Sequence, residues 1–181
     1  MCIIIDTNVL SSVFDKKSAK HQDFKPVLDW ILFGNGFLVY GGSKYIEEIG
    51  KTKYRKIFNL FKTKSSKKIC VLDKELVDTE QKKIEDKITD PDFDDPHLPA
   101  IVIVGKCKLI CSEDERSIKF VTNKDLYQNK KPPCYYKGSQ NQNLLCDKYI
   151  DKKYKSPKKI TKKLTKKELG YIETQIEKIT K

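Results

Sequence analysis

Cys2-Ile3-Ile4-Ile5-Asp6-Thr7-Asn8-Val9-Leu10 is the stretch that decides the fold. Its apolar half is continuous and β-branched rather than alternating. A strand of that kind suits burial on both faces, as in a parallel sheet, and not an antiparallel sheet with one wet face. The run stops at Asp6-Thr7-Asn8, so its carboxyl end is polar. Working outward, short apolar runs recur at Phe37-Leu38-Val39-Tyr40, Ile69-Cys70-Val71-Leu72 and Leu109-Ile110-Cys111.

Helical spacing fills the intervals. Phe24, Val27, Leu28, Ile31 and Leu32 share one face, with Pro26 expected in a first turn and Gly34-Asn35-Gly36 as the stop. Ser43 is expected to cap a helix carrying Tyr45, Ile46 and Ile49, and Tyr54, Ile57, Phe58 and Phe61 continue that spacing. A polar helix is expected from about residue 74 to 88. An acidic turn over residues 90–96 leads into a helix begun by Pro96, with Leu98, Ala100, Ile101, Ile103 and Val104 as its apolar residues and Gly105 near its end. Strands alternating with helices predict an α/β fold, a three-layer α/β/α sandwich around a central, mostly parallel sheet.

The pattern weakens after Val121. Residues 1–125 read as one domain and 126–181 as a Lys-rich extension, with loops at 129–133 and 138–141. The extension ends in an amphipathic helix. Thr165 and Glu168 have the spacing of a capping box, and Leu169, Ile172, Ile176 and Ile179 line one side. A lone helix of this length is marginal in water, so the stripe should dock on the domain, on a second copy of the chain, or on a partner protein.

The chain has 37 Lys plus Arg against 25 Asp plus Glu, a net charge of +12, which points to a polyanionic partner. Lysines so scattered can also be simply solvated, so charge does not decide the matter. The Lys-rich stretch 151–167 would contact a nucleic-acid backbone and add affinity without sequence choice. No apolar run reaches membrane-spanning length, and residues 1–10 read as a strand rather than a secretory signal. A cytoplasmic protein is therefore expected, with its six cysteines as reduced thiols. Cys107 and Cys111 with His97 lack the regular ligand pairs of a structural zinc site. His97 reads as a packed or surface residue, and Trp30 as core.

The acids carry the functional information. Asp6 ends the first strand, Glu47-Glu48 lies in the helix after the second, Asp94-Asp95 precedes the helix leading to the fourth, and Asp114 lies just past the fourth. Ligands of an open parallel sheet bind beyond the carboxyl ends of its strands, so these acids can converge. Converging carboxylates repel one another. Mg²⁺ or Mn²⁺ removes the conflict and can polarise a phosphodiester, lower the pKa of a bound water and stabilise a departing oxygen.

Residues 3–10 resemble the opening motif of the PIN domain, a nuclease fold common among toxin ribonucleases. Residues 43–49 resemble its second motif, with an acid one turn into a helix. Asp95-Pro96-His97-Leu98-Pro99-Ala100 resembles the third, and Leu109-Ile110-Cys111-Ser112-Glu113-Asp114 the fourth, a strand followed by Ser, any residue and Asp. The resemblance covers residues 1–125, with the motifs in family order. It implies a PIN-like fold and a metal-dependent endoribonuclease with Asp6, Glu48, Asp95 and Asp114 as catalytic acids. It implies Mg²⁺ or Mn²⁺ held by Asp6, Asp95 and Asp114, with Thr7, Asn8 and Ser112 organising them from behind. It also implies RNA as substrate and a cognate antitoxin as partner. Glu47 competes with Glu48, and Asp94 with Asp95; Glu48 is favoured because it precedes apolar Ile49, and Asp95 because it joins the helix directly. Two other readings compete. A binding module with a dead site would hold RNA or a protein through the basic surface, but all four acids are present. A DNA nuclease on a related fold generally carries extra acids and long insertions, for which this chain has little room.

Overall fold

The computed structural model describes residues 2–63, 66–128, 130–146 and 163–181. Its sheet has five strands, all parallel: β1 (Cys2–Ile5), β2 (Phe37–Tyr40), β3 (Ile69–Val71), β4 (Leu109–Cys111) and β5 (Cys134–Tyr136), in the order β3-β2-β1-β4-β5. Ile4 pairs with Ile110 and Ile5 with Cys111. Helices cover both faces, giving a three-layer α/β/α sandwich. They are α1 (Leu10–Phe14), α2 (His21–Phe33), α3 (Ser43–Gly50), α4 (Arg55–Lys62), α5 (Lys74–Lys87), α6 (His97–Gly105), α7 (Glu115–Val121) and α8 (Lys166–Thr180). Ile3, Ile4 and Ile5 are all fully buried, the double-sided burial that the continuous apolar run predicts.

Three details depart from the sequence reading. Helix α2 begins at His21, so Pro26 lies inside the helix rather than in its first turn. Ser43 opens α3 but does not cap it. Gly42, at φ 79°, is the capping residue, and Asp78 of α5 accepts from the Ser43 backbone N–H at 2.6 Å and from its hydroxyl at 2.5 Å. A side chain on Gly42 would strain that left-handed backbone and strike Val77. Helix α6 ends at Gly105, where the sequence places its end, and Lys106 caps it in the left-handed region. Gly105 also lets α6 approach Val39 and Leu72 where a Cβ would come within 2.9 and 3.0 Å.

The third departure is the fifth strand, which the sequence pattern does not place. β5 is three residues long and only its last residue, Tyr136, is buried. Its phenol donates to the Asp23 carbonyl at 2.8 Å and its ring meets Phe24 edge-on. Residues beyond 125 therefore supply an edge of the same sheet. The terminal helix joins this body too. The capping box at Thr165 and Glu168 is present, α8 packs against α4, and Ile172 and Ile176 are buried in the common core. Glu177 pairs with Lys16 at 2.5 Å, and Lys53 donates to the Thr180 carbonyl at 3.0 Å. Of the three surfaces the stripe could use, it takes the chain's own core. Most of the Lys-rich stretch, through residue 162, lies outside the described residues. No helix among the described residues is long and apolar enough to cross a membrane.

Candidate metal centre

From β1 the chain builds outward to β3 on one side, and from β4 to β5 on the other. The switch point of the sheet therefore lies between β1 and β4, where a crevice opens beyond the carboxyl ends of the strands. Asp6 leaves β1 there, and Ser112 and Asp114 follow β4. Helices α3 and α6 bring Glu48, Asp95 and His97 to the same place.

Ser112 is the pivot of the buried side. Its fully buried hydroxyl donates to Asp6 Oδ2 at 2.7 Å and accepts from Asn8 Nδ2 at 3.3 Å and from the Asp114 backbone N–H at 3.0 Å. Asp6 is 4% exposed, and its other oxygen caps the 3₁₀ turn Thr7–Val9 through the Asn8 N–H at 3.5 Å. Burial raises the Asp6 pKa above the usual carboxylate range, while the Ser112 and Asn8 hydrogen bonds oppose the rise. Thr7 donates to Glu48 Oε2 at 3.1 Å, and Lys44 stands 3.6 Å from the other oxygen of Glu48. Glu47 points elsewhere, exposed and paired with Lys51 at 2.6 Å. Of the two glutamates, Glu48 is the one that lies beside Asp95 and His97.

Asp95 is the centre of the arrangement. Its side chain caps no helix; only its carbonyl receives the Leu98 N–H. Burial first, and then the charges of Asp6, Asp94, Glu48 and Asp114, raise its pKa to about 7. Two groups of side chains place donor atoms within 4.8 Å of one another: Glu48 with Asp95 and His97, and Asp94 with Asp95 and Asp114. Either group could hold a metal ion, and Asp95 belongs to both. Asp6 belongs to neither at that spacing. It stands behind them, close enough for its charge to act on Asp95 but with both oxygens already engaged.

The donor set fits a divalent cation. Four neighbouring carboxylates repel, one is driven to hold a proton near neutrality, and a cation would relieve both. Three features of the site go beyond the sequence reading. Asp94 shares the site with Asp95 rather than competing with it. His97 is packed, as expected, but its ring is enclosed beside two acids: Nε2 lies 3.8 Å from Glu48 and Nδ1 3.9 Å from Asp95. Tyr135 of β5 donates or accepts at 3.3 Å with Ser117, and after burial the charges of Asp6, Asp95 and Asp114 push its phenol up. At the rim, exposed Arg116 reaches Asp114 at 3.4 Å and Asp94 at 3.9 Å. Asp114 also caps α7 through the Arg116 N–H at 2.9 Å. Cys107 and Cys111 are buried thiols, and neither group able to hold an ion contains a cysteine among the described residues.

No protein-family model matches the chain, and no curated protein or solved structure matches it either.

Proposed function

We propose that this protein is a divalent-cation-dependent ribonuclease of the PIN type. The observation that carries the reading is the convergence of Asp6, Glu48, Asp95 and Asp114, from four separate segments of the chain, at the switch point of the parallel sheet. A bound Mg²⁺ or Mn²⁺ supplies charge to a phosphodiester and makes a water more acidic. The chain's own residues hold and orient that chemistry. Glu48, Asp94, Asp95 and Asp114 offer the oxygens, Thr7 fixes the Glu48 carboxylate, and Ser112 ties Asp6 to the turn that carries Asp114. Arg116 and Lys44, exposed at the rim, are placed to meet a substrate phosphate. The net charge of +12 favours a polyanion such as RNA and steers it to the surface. The further expectation of a cognate antitoxin rests on the family resemblance alone.

The test uses the purified full chain and a labelled single-stranded RNA. Cleavage is expected with Mn²⁺ or Mg²⁺ and is expected to stop with excess chelator, then return when the ion is restored. RNA binding without cleavage under every ion would replace the proposal with a binding module. Cleavage that ignores chelator would remove the acid cluster from the account.

A further inference from the structure

His97 is the least explained side chain near the site. It is fully buried, and among the described residues neither ring nitrogen has a hydrogen-bond partner. A buried polar group without a partner loses its water contacts and gains nothing in return, so two bare nitrogens on one ring call for a reason. Each nitrogen faces a carboxylate, Nε2 toward Glu48 at 3.8 Å and Nδ1 toward Asp95 at 3.9 Å, too far for a hydrogen bond. The ring is held by its position as first residue of α6 and by Tyr45, whose ring centre lies 6.0 Å away. Glu48 is held from the other side by Thr7 at 3.1 Å.

We infer that Glu48, Asp95 and His97 form a mixed nitrogen–oxygen cation pocket that takes Mn²⁺ or a similar borderline ion in preference to Mg²⁺, beside an all-oxygen pocket at Asp94, Asp95 and Asp114. The inference rests on the cation-dependent reading of the site and adds the identity of the ion. Neighbouring ligands of an ion bound at about 2.1 Å stand about 3 Å apart, and the three donors lie within 4.8 Å of one another, so they need to close by at most roughly 2 Å. With one ring nitrogen on the ion, the other carries the proton and donates to the facing carboxylate, and both acquire partners. Imidazole suits first-row transition ions, whereas Mg²⁺ prefers oxygen and gives up its waters reluctantly. Asp94, Asp95 and Asp114 offer oxygen only and have no such preference. One imidazole therefore makes two adjoining pockets unlike.

The experiment loads the wild-type full chain with one equivalent of Mn²⁺ in excess Mg²⁺ and records pulsed electron paramagnetic resonance. Nitrogen modulation from a coordinated imidazole is expected. In competition titrations, the wild type is expected to favour Mn²⁺ over Mg²⁺ by about thirtyfold or more, and His97→Gln by less than about fivefold. The wild-type spectrum decides the matter even if the variant folds poorly. Bound Mn²⁺ without nitrogen modulation would overturn the inference and leave the cation-dependent reading standing. Failure to bind either ion would overturn both.

Discussion

Asp95→Asn is expected to lower Mn²⁺-dependent RNA cleavage by about a thousandfold or more, while the protein stays folded. Asp95 is the one acid common to both groups of closely spaced donors, so its neutralisation weakens both pockets together. The amide keeps the size of the side chain and removes a charge that the fold resists. Because the Asp95 pKa is raised to about 7, its contribution to stability is complete below the usual carboxylate range and is lost as pH climbs through 7. Without added cation, the variant should therefore unfold at the same temperature as the wild type or a higher one at pH 8. It should also lose the rise in unfolding temperature that Mn²⁺ gives the wild type. In the wild type, Mn²⁺ affinity should increase about tenfold per pH unit up to about pH 7 and then level off, since one proton is displaced from the cluster. His97, which burial depresses to about 4, stays neutral through that window and adds no slope. Cleavage assays and cation titrations across pH check each point. A variant that cleaves like the wild type would mean that the acids do not carry the reaction.

Ile172→Ala combined with Ile176→Ala is expected to cost about 4 kcal/mol or more, a large part of the stability of an ordinary domain. Both side chains are buried in the common core, at 2% and 5% exposure, where α8 lies on α4. The cavities left behind cannot close fully, because α8 is also held at its far end by Lys53 and Lys16. Urea unfolding of the double variant should show a lower midpoint with an unchanged slope. An unchanged midpoint would place the apolar stripe on some other surface. The same packing bears on the lysines before the helix. Cutting away residues 151–181 would remove α8 along with them, so a loss of RNA binding after that cut would not assign the binding to the lysines.

The parts of the molecule set by local chemistry could be read from the chain. Ile3-Ile4-Ile5 announced a strand covered on both faces, and Asp6 at its end marked the site. Thr165 and Glu168 announced the start of α8 through a bonding pattern that spans one turn. What escaped depends on contacts far apart in sequence. Cys134-Tyr135-Tyr136 is too short to show a period, and it becomes a strand only because β4 offers an open edge. Ser43 looked like a cap, but Asp78, 35 residues away, takes its hydrogen bonds. The four acids were visible because Asp6 and Asp114 follow strands, Asp95 precedes a helix and Glu48 lies one turn into one. Which of them stand close enough to hold one ion was not, since Asp6 is tied by Ser112 and Asn8 while Asp94 lies beside Asp95 and Asp114. His97 gave no signal, because an enclosed imidazole in an apolar helix looks the same whether its nitrogens are satisfied or not.

The most direct measurement of the central claim is the anomalous scattering of a Mn²⁺-soaked crystal. An ion is expected within about 2.0–2.3 Å of an Asp95 carboxylate oxygen, with Glu48 and His97 or Asp94 and Asp114 completing its protein ligands. No anomalous peak at Asp95 under saturating Mn²⁺ at pH 8, in a crystal whose crevice is open to solvent, would contradict the assignment of this cluster as a metal centre.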